Sequence, residues 1–383
     1  MTYRDKITGL DSVLLRRIDE AHAELNWLRN ASGNDLLKLA TDELGLKELT
    51  GVADELTAIE LGNLERAELL DLVQPHFPAG TSTADDLADQ IQLCRAFANP
   101  NAVIELVAGW VEGSIANFPR TSDQLRVGGN PSDVLDPFIL AANYELLSER
   151  SLPKTIEHTA SHKVLMKIED LAGHLHENVI GLMRGNFRVP EPKGSRAEGK
   201  ENLDPLLNPF PGADVGQVPL PERPDALRLF QVKSKTGSSK GGDGKRLGEQ
   251  LLAIELLYEA DTFYVAVVGN TLRGHRSRGA VSRVSPKTAV MVGRAALNEL
   301  TQSSVGGELL LRTYQRAFRA ASEETGYRFS AVVAVMAEDF EEEAAVEGMD
   351  FLSALLHKAI DGSVDEQDSR QMQPSTRRRM PRA

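Results

Sequence analysis

The sequence predicts a mixed α/β fold in which helices flank a core sheet and an all-helical region occupies the N-terminal part of the chain. Three observations support this prediction. Apolar residues recur at three- and four-residue spacing through residues 1–118, as in amphipathic helices. Short runs rich in β-branched and aromatic residues begin only after residue 212. Between residues 226 and 270 a strand, an amphipathic helix and a second strand follow one another, which is the order of a sheet covered by helices.

The 383 residues are enough for two domains. We expect a helical region over residues 1–150 and a mixed α/β domain over residues 151–362. Residues 363–383 are polar and basic and lack core-forming side chains, so we expect a disordered tail there.

The individual elements follow from pattern and composition. Residues 119–137 are rich in Pro, Gly, Asn and Ser and predict a long loop. Helices are expected at 138–149, 155–185, 245–260, 294–301 and 308–324. Strands are expected at 213–218, 226–233, 262–270, 288–293 and 329–337.

Charge, cysteine content and hydropathy limit the classes of function. The net charge of −13 by itself argues against a nucleic-acid partner. Residues 1–150, however, hold 12 Lys and Arg against 25 Asp and Glu, whereas residues 223–294 hold 13 against 6. The second region is therefore basic enough for a phosphate-binding surface. The single cysteine, Cys94, excludes an internal disulfide framework and a cysteine-based zinc cluster.

The same sequence indicates the compartment. No run of 18 apolar residues is present, so no segment is expected to span a membrane. The first residues lack the short apolar run of a secretion signal. We therefore expect a cytoplasmic location.

Residues 213–233 carry an acid, an amide and a lysine at spacings that suit a metal-dependent hairpin site. Three prolines interrupt the segment, so we expect a turn centred near 222–223 with a strand on either side. Folding about that centre brings Asp214 opposite Gln231. Gln231 and Lys233 lie two positions apart on one strand and therefore share a face. Oxygen donors held together suit Mg²⁺, and a neighbouring lysine can stabilise an anionic transition state.

A Pro224–Asp225 dipeptide offers a different acid in the same segment. Asp225 precedes Gln231 by six positions on one expected strand, which is a separation of roughly 20 Å at ~3.3 Å per residue. Two ligands that far apart cannot bind one ion. Asp214 is therefore the expected acid, and Asp225 is excluded.

Asp214, the triplet Gln231-Val232-Lys233 and the helix after them resemble the PD-(D/E)XK nuclease superfamily, and type II restriction endonucleases in particular. The resemblance implies a core of one helix, a three-strand meander, a second helix and a further strand. These elements would lie at 155–185, 213–233 with a neighbouring strand, 245–260 and 262–270. The resemblance also implies Mg²⁺ as cofactor, Asp214 and Gln231 as metal ligands, and Lys233 as the catalytic lysine.

Gln231 departs from the family pattern, because Glu or Asp usually occupies this position. An amide oxygen can bind a metal but brings no charge, so metal affinity should fall unless another carboxylate compensates. Some restriction enzymes of the superfamily do use Gln here. The family often adds an acid on the first core helix. Glu177 is our candidate for this acid and would be a third metal ligand, and Asp204 is the second candidate. Glu177 is equally consistent with a solvated carboxylate on a helix face.

Two basic segments are expected to contact DNA. The candidate residues are Lys235, Lys240, Lys245 and Arg246 in and after the Gly-rich loop, and Arg273, Arg276, Arg278 and Arg283 after the strand at 262–270. Arginine reads guanine edges and also binds phosphate. Ordinary solvated basic loops are the alternative interpretation of both segments.

The leading hypothesis is therefore a Mg²⁺-dependent endonuclease that hydrolyses phosphodiester bonds of double-stranded DNA as a sequence-specific type II restriction enzyme. Such enzymes commonly act as homodimers, and residues 1–150 would serve dimerisation or embrace the DNA. A cognate DNA methyltransferase would be a partner in the same system. Two alternatives stay open, a non-specific repair or phage-defence nuclease of the same superfamily and a catalytically inactive DNA-binding module in which Gln231 records loss of the metal.

Overall fold

A computed structural model describes residues 3–7, 12–116, 118, 141–190, 210–235, 243–268 and 276–347. The chain forms two compact units, the first of Met1–Gly113 with Asp170–Thr325 and the second of Ser114–Glu169 with Gly326–Ala383. The domain division expected from the sequence, with boundaries at residues 150 and 362, stays a prediction. The expected tail at 363–383 lies outside the described residues.

The described part of the chain before residue 117 is built from helices. They are α1 (Tyr3–Ile7), α2 (Ser12–Asn30), α3 (Gly33–Glu43), α4 (Ala58–Gly62), α5 (Arg66–Val73), α6 (Thr83–Ala96) and α7 (Pro100–Ile115), with a 3-10 turn at Gln74–His76. Ser32 and Thr57 begin α3 and α4 with reciprocal capping boxes, which satisfy main-chain donors that would otherwise lack partners. Leucines of α3, α4 and α6 pack into one fully buried core.

A five-stranded mixed sheet forms the centre of the first unit. Its strands are β1 (Asn186–Arg188), β2 (Val215–Gln217), β3 (Arg228–Lys235), β4 (Asp261–Val268) and β5 (Ala289–Val292), in the spatial order β1-β2-β3-β4-β5. β1, β2 and β3 pair antiparallel, whereas β3, β4 and β5 pair parallel. The parallel strands need helical crossovers, which two helices supply.

The remaining helices surround the sheet or lie in the second unit. They are α8 (Leu152–Gly181), α9 (Asp243–Tyr258), α10 (Arg276–Val284), α11 (Arg294–Thr301), α12 (Gly306–Thr325) and α13 (Phe329–Glu347). α9 connects β3 to β4, and α10 connects β4 to β5. None of the helices in the described ranges is both long enough and apolar enough to cross a bilayer.

An apolar core joins the sheet to helices α2 and α9. Phe187 of β1, Leu229 of β3 and Tyr264 of β4 are buried with Leu251 of α9 and Ile18 of α2. Burial of these apolar side chains away from water is the main stabilising contribution to the first unit. It also fixes the strands that carry the candidate site residues.

A polar network anchors the hairpin strands to α11. Gln217 donates through Nε2 to the main-chain oxygens of Glu299 and Leu300, at 2.9 Å each. Asn186 donates to the Leu300 oxygen at 2.8 Å. Arg228 pairs with the Glu299 carboxylate and donates to Gln217 Oε1 at 2.6 Å. Because the donor groups of Asn186, Gln217 and Arg228 are buried and paired, they hold β1, β2 and β3 in one register.

The structure confirms the mixed α/β class, with a sheet and flanking helices. The strands expected at 213–218, 226–233, 262–270 and 288–293 are confirmed as β2 to β5, within a few residues. β1 was not predicted, because its three residues, Asn186–Arg188, include one apolar side chain and no β-branched residue. The helix expected at 138–149 falls partly outside the described residues, and Asn143–Leu147 is a π-helical turn.

The strand expected at 329–337 is wrong, because these residues begin α13. Short apolar runs do not distinguish a strand from a buried helix by periodicity alone. Val332 and Met336, four residues apart, are buried against Ile156 and Ala160 of α8, whereas Val335 is 44% exposed. This spacing is helical.

Gly216 provides a test of the sheet packing. An added Cβ would lie 2.1 Å from Cζ of Phe187, its cross-strand partner. Gly216→Ala should therefore overpack this contact and lower the free energy of unfolding by about 1–3 kcal/mol. Urea unfolding followed by circular dichroism measures this change.

Gly109→Ala is the matched control, because nothing lies within 4 Å of a Cβ at this position of α7. Alanine is a better helix former than glycine, so this variant should be as stable as the wild type or up to ~1 kcal/mol more stable. A Gly216→Ala protein that unfolds at the wild-type urea concentration would contradict the packing described.

Candidate functional site

The β2–β3 hairpin sets the geometry of the candidate site. Val215 pairs with Phe230, and Gln217 pairs with Arg228, so the pairing is centred between residues 222 and 223. The turn expected near 222–223 is confirmed. The register continues beyond β2, since the main-chain N–H of Asp214 donates to the Phe230 oxygen at 2.8 Å. The expected placement of Asp214 opposite Gln231 is therefore confirmed.

Two donors of β3 bind one oxygen of the Asp214 side chain. The Oδ2 atom accepts from Gln231 Nε2 at 2.5 Å and from the Val232 main-chain N–H at 2.8 Å. Gln231 is 3% exposed, so its amide group lies in the protein interior. The carboxylate is thereby fixed in position on the neighbouring strand.

Arg188, the last residue of β1, connects α8 to the hairpin. Its Nη2 donates to Glu177 Oε2 at 2.7 Å and its Nε donates to Asn178 Oδ1 at 3.0 Å. Its Nη1 donates to the main-chain oxygen of Asp214. One guanidinium group therefore holds two α8 side chains and the β2 main chain together. Sequence reasoning missed Arg188, because no periodicity relates it to Glu177.

The electrostatics of Asp214 identify the charged groups around it. Burial, followed by the negative charge of Glu177, raises the pKa of the Asp214 carboxyl to about 7. Lys233, the Val232 N–H and Arg188 lower this pKa. The fold therefore brings Asp214, Gln231, Lys233 and Glu177, the four catalytic candidates, into one neighbourhood.

A half-buried His–Tyr pair joins His176, the neighbour of Glu177 on α8, to Tyr314 of α12. His176 Nδ1 and the Tyr314 hydroxyl are 2.7 Å apart, which ties α8 to α12. Burial lowers the pKa of His176 to about 4, so its imidazole is neutral at physiological pH.

The candidate site contains two carboxylates and an amide, which are groups that could hold a hard divalent cation. Among the described residues no group of three or more His, Cys, Asp and Glu side chains is arranged to bind a metal ion. Asp214 and Glu177, however, are two acids that repel each other, and a cation would relieve that repulsion. Gln231 adds an amide oxygen on the same strand pair, although its Nε2 faces Asp214. Carboxylate and amide oxygens are the ligands that Mg²⁺ prefers.

The other candidates fall in different places. Asp225 is exposed in the turn, away from the site. Asp204, Lys240 and Arg273 lie outside the described residues, as do the side chains of Lys235, Arg276 and Arg278. Lys245, Arg246 and Arg283 are exposed, on α9 and α10. The Arg283 Nε donates to the Gly279 oxygen of its own helix at 3.0 Å.

Comparison with known proteins does not assign the chain to a family. No protein-family model matches the chain, and no match was found among curated proteins. The site therefore rests on its own geometry.

The raised pKa of Asp214 predicts how stability depends on pH without metal. Between about pH 4 and about pH 7 the folded protein holds the Asp214 proton more tightly than the unfolded chain does, so this residue contributes a free energy of unfolding that falls as pH rises. Asp214→Asn cannot titrate and should flatten this fall. Urea unfolding in EDTA at about pH 5 and about pH 8 measures the difference.

Asp225→Asn, in the exposed turn, is the control for loss of one carboxylate and should retain the wild-type pH dependence. An Asp214→Asn protein whose stability changes with pH as steeply as that of the wild type would show that Asp214 is not the buried titrating group.

Proposed function

We propose that this chain is a Mg²⁺-dependent endonuclease that hydrolyses phosphodiester bonds of double-stranded DNA, as a sequence-specific type II restriction enzyme of the PD-(D/E)XK superfamily. The observation that carries the proposal is the convergence of Asp214, Glu177, Gln231 and Lys233 on one strand pair and the adjoining helix. Two acids, one amide oxygen and one lysine are the groups that metal-assisted phosphodiester hydrolysis needs.

The order of elements supports the proposal. α8, β1, β2, β3, α9 and β4 follow one another along the chain, with β1 to β3 as an antiparallel meander and β4 parallel to β3. This order is compatible with the helix, three-strand meander, helix and strand that the family resemblance implies, and it supports the proposal without identifying the family. The candidate residues lie on the elements where that resemblance expects them.

Each residue would have a separate role in hydrolysis. Asp214, Glu177 and Gln231 would hold Mg²⁺, which when bound lowers the pKa of a coordinated water and neutralises charge on the phosphate. Lys233 shares a strand face with Gln231, so its ammonium group would orient the attacking water or stabilise the developing negative charge. Arg188 holds Glu177 in place, and Asn178 in turn accepts a hydrogen bond from Arg188.

The charge of the site predicts a metal affinity that depends on substrate. When both carboxylates are ionised, Asp214 and Glu177 supply two negative charges, whereas Arg188 and Lys233 supply two positive charges nearby. Gln231 adds none. A divalent cation alone would therefore bind weakly, and the scissile phosphate would contribute the missing negative charge.

The basic residues expected to bind DNA follow the end of the sheet that carries Lys233. β3 and β4 are parallel, and α9 and α10 begin after their carboxyl ends. Lys245 and Arg246 lie in the first turns of α9, and α10 begins at Arg276. DNA lying across this end of the sheet would meet both helix N-termini and their basic residues.

The assembly is part of the same proposal. Cleavage of both strands needs two active sites, so the working form would be a homodimer with one site for each strand. A DNA methyltransferase that modifies the same sequence would protect the host DNA.

One observation favours a second candidate function. Gln231 donates from its amide nitrogen to Asp214, which is how an amide could replace a lost metal ion. The chain would then be a DNA-binding module without catalytic activity. Metal-dependent cleavage distinguishes the two functions.

Variants of Asp214 and Lys233 test the proposed function. Asp214→Ala removes an acidic metal ligand, and Lys233→Ala removes the positive charge at the reacting phosphate. Each should lower the cleavage rate of supercoiled plasmid DNA in Mg²⁺ by about 100-fold or more while the protein stays folded. Gel analysis of nicked and linear products measures the rate.

Asp225→Ala is the matched control, because it removes an exposed acid from the same hairpin and should cleave like the wild type. EDTA should stop all cleavage. Wild-type protein that binds DNA but never cleaves it with Mg²⁺ would favour the inactive binding module. A folded Asp214→Ala protein that cleaves at the wild-type rate would reject the site.

A further inference from the structure

Arg188 uses every nitrogen of its guanidinium group within the candidate site. Nε donates to Asn178 Oδ1 at 3.0 Å, Nη2 donates to Glu177 Oε2 at 2.7 Å, and Nη1 donates to the Asp214 main-chain oxygen. The Arg188 and Glu177 side chains are 24% and 21% exposed, so solvent screens this ion pair only partly. The three contacts join β1, α8 and β2 at one residue.

Only an arginine can make these contacts together. The guanidinium group is a rigid planar fork that presents donors in several fixed directions, whereas lysine offers one nitrogen on a flexible stem. Lysine at this position could keep the charge beside Glu177 but would lose the contacts to Asn178 and the Asp214 main chain. The geometry of this fork, and not only its charge, therefore connects the three elements.

Gly181 provides a second and independent observation. It lies one helical turn after Glu177 on α8, and an added Cβ would lie 3.0 Å from the Arg188 Cα and 3.1 Å from the Arg188 Cβ. The backbone of α8 thus approaches the backbone of β1 at Arg188 more closely than a larger residue permits. This close approach brings the Glu177 side chain within reach of the fork.

The charges of Glu177, Asp214 and Arg188 explain why this arrangement is useful at a metal site. The Arg188 guanidinium group donates to the Glu177 carboxylate and to the Asp214 main-chain oxygen, so it places positive charge beside two acids that repel each other. Without a cation between the two carboxylates, their repulsion favours a Glu177 side chain that turns towards solvent. Arg188 keeps the acid in the site when no metal is bound.

We infer that Arg188 is a positioning residue of the metal centre, which holds the Glu177 carboxylate against the Asp214 strand so that the oxygen donors are assembled before metal and DNA bind. This inference rests on the proposed function. Arg188 itself would contact neither the metal nor the DNA, and it would act through Glu177 and the main chain of Asp214.

The test compares Arg188→Lys with Arg223→Lys. Arg223 also pairs with a carboxylate, that of Asp261, but it is exposed in the hairpin turn outside the site. Arg188→Lys should raise the Mg²⁺ concentration for half-maximal cleavage by about 10–100-fold and lower kcat, with KM for DNA unchanged, because partners that orient metal ligands have effects of this size. Arg223→Lys should behave like the wild type.

Direct binding of Mn²⁺ provides a readout that needs no cleavage. Free Mn²⁺ is measured by electron paramagnetic resonance with the protein and a short duplex DNA, and Arg188→Lys should weaken binding by about 10–100-fold. If the wild type binds Mn²⁺ but does not cleave DNA, the proposed function fails, and weaker binding by Arg188→Lys still supports the positioning role. If the wild type does not bind Mn²⁺ at all, both fail.

Three further outcomes complete the test. If Arg188→Lys keeps the wild-type Mn²⁺ affinity and Mg²⁺ requirement, the inference is overturned. A lower thermal stability of this variant would not rescue the inference, because a purely structural role would change stability alone. A change confined to KM for DNA would also overturn the inference and would indicate a DNA contact.

If Arg188→Lys does not fold, Gly181→Ala takes its place. Crowding of α8 against β1 in this variant should also weaken Mn²⁺ binding. Unchanged Mn²⁺ binding would reject the positioning role.

Discussion

The register between β2 and β3 is the constraint on which the candidate site depends. Asp214 accepts hydrogen bonds from Gln231 and from the Val232 main chain only because Val215 pairs with Phe230. A shift of one residue would turn every side chain of one strand to the opposite face and separate the acid from the amide. The buried network of Arg228 with α11 therefore maintains the site geometry although it lies outside the site.

The sequence predicted the hairpin and its acid because local features determine both. Prolines excluded a continuous strand, and the length of the turn fixed the pairing of Asp214 with Gln231. Arg188 could not be found in this way, since its contacts with Glu177 and Asp214 depend on how α8 packs against β1. The same limit explains α13, where burial against α8, and not the apolar run itself, determines the helix.

Gln231 is consistent with a site assembled before metal binds. A carboxylate at this position would place a third negative charge near Asp214 and Glu177 in a partly buried setting, at a large cost in free energy without metal. The amide instead donates to Asp214 and stabilises the metal-free arrangement. Under the proposed function, the cost would be a weaker metal site, which the DNA phosphate would complete.

Mg²⁺ titration of plasmid cleavage by Gln231→Glu and Gln231→Leu tests the proposed site most directly. If the amide oxygen is a metal ligand, Gln231→Glu should stay active and reach half-maximal cleavage at a lower Mg²⁺ concentration. Gln231→Leu should bind DNA but lose cleavage, with its folding verified by circular dichroism. A folded Gln231→Leu protein that cleaves DNA at the wild-type rate and Mg²⁺ requirement would contradict the account, because Gln231 would then only brace the hairpin.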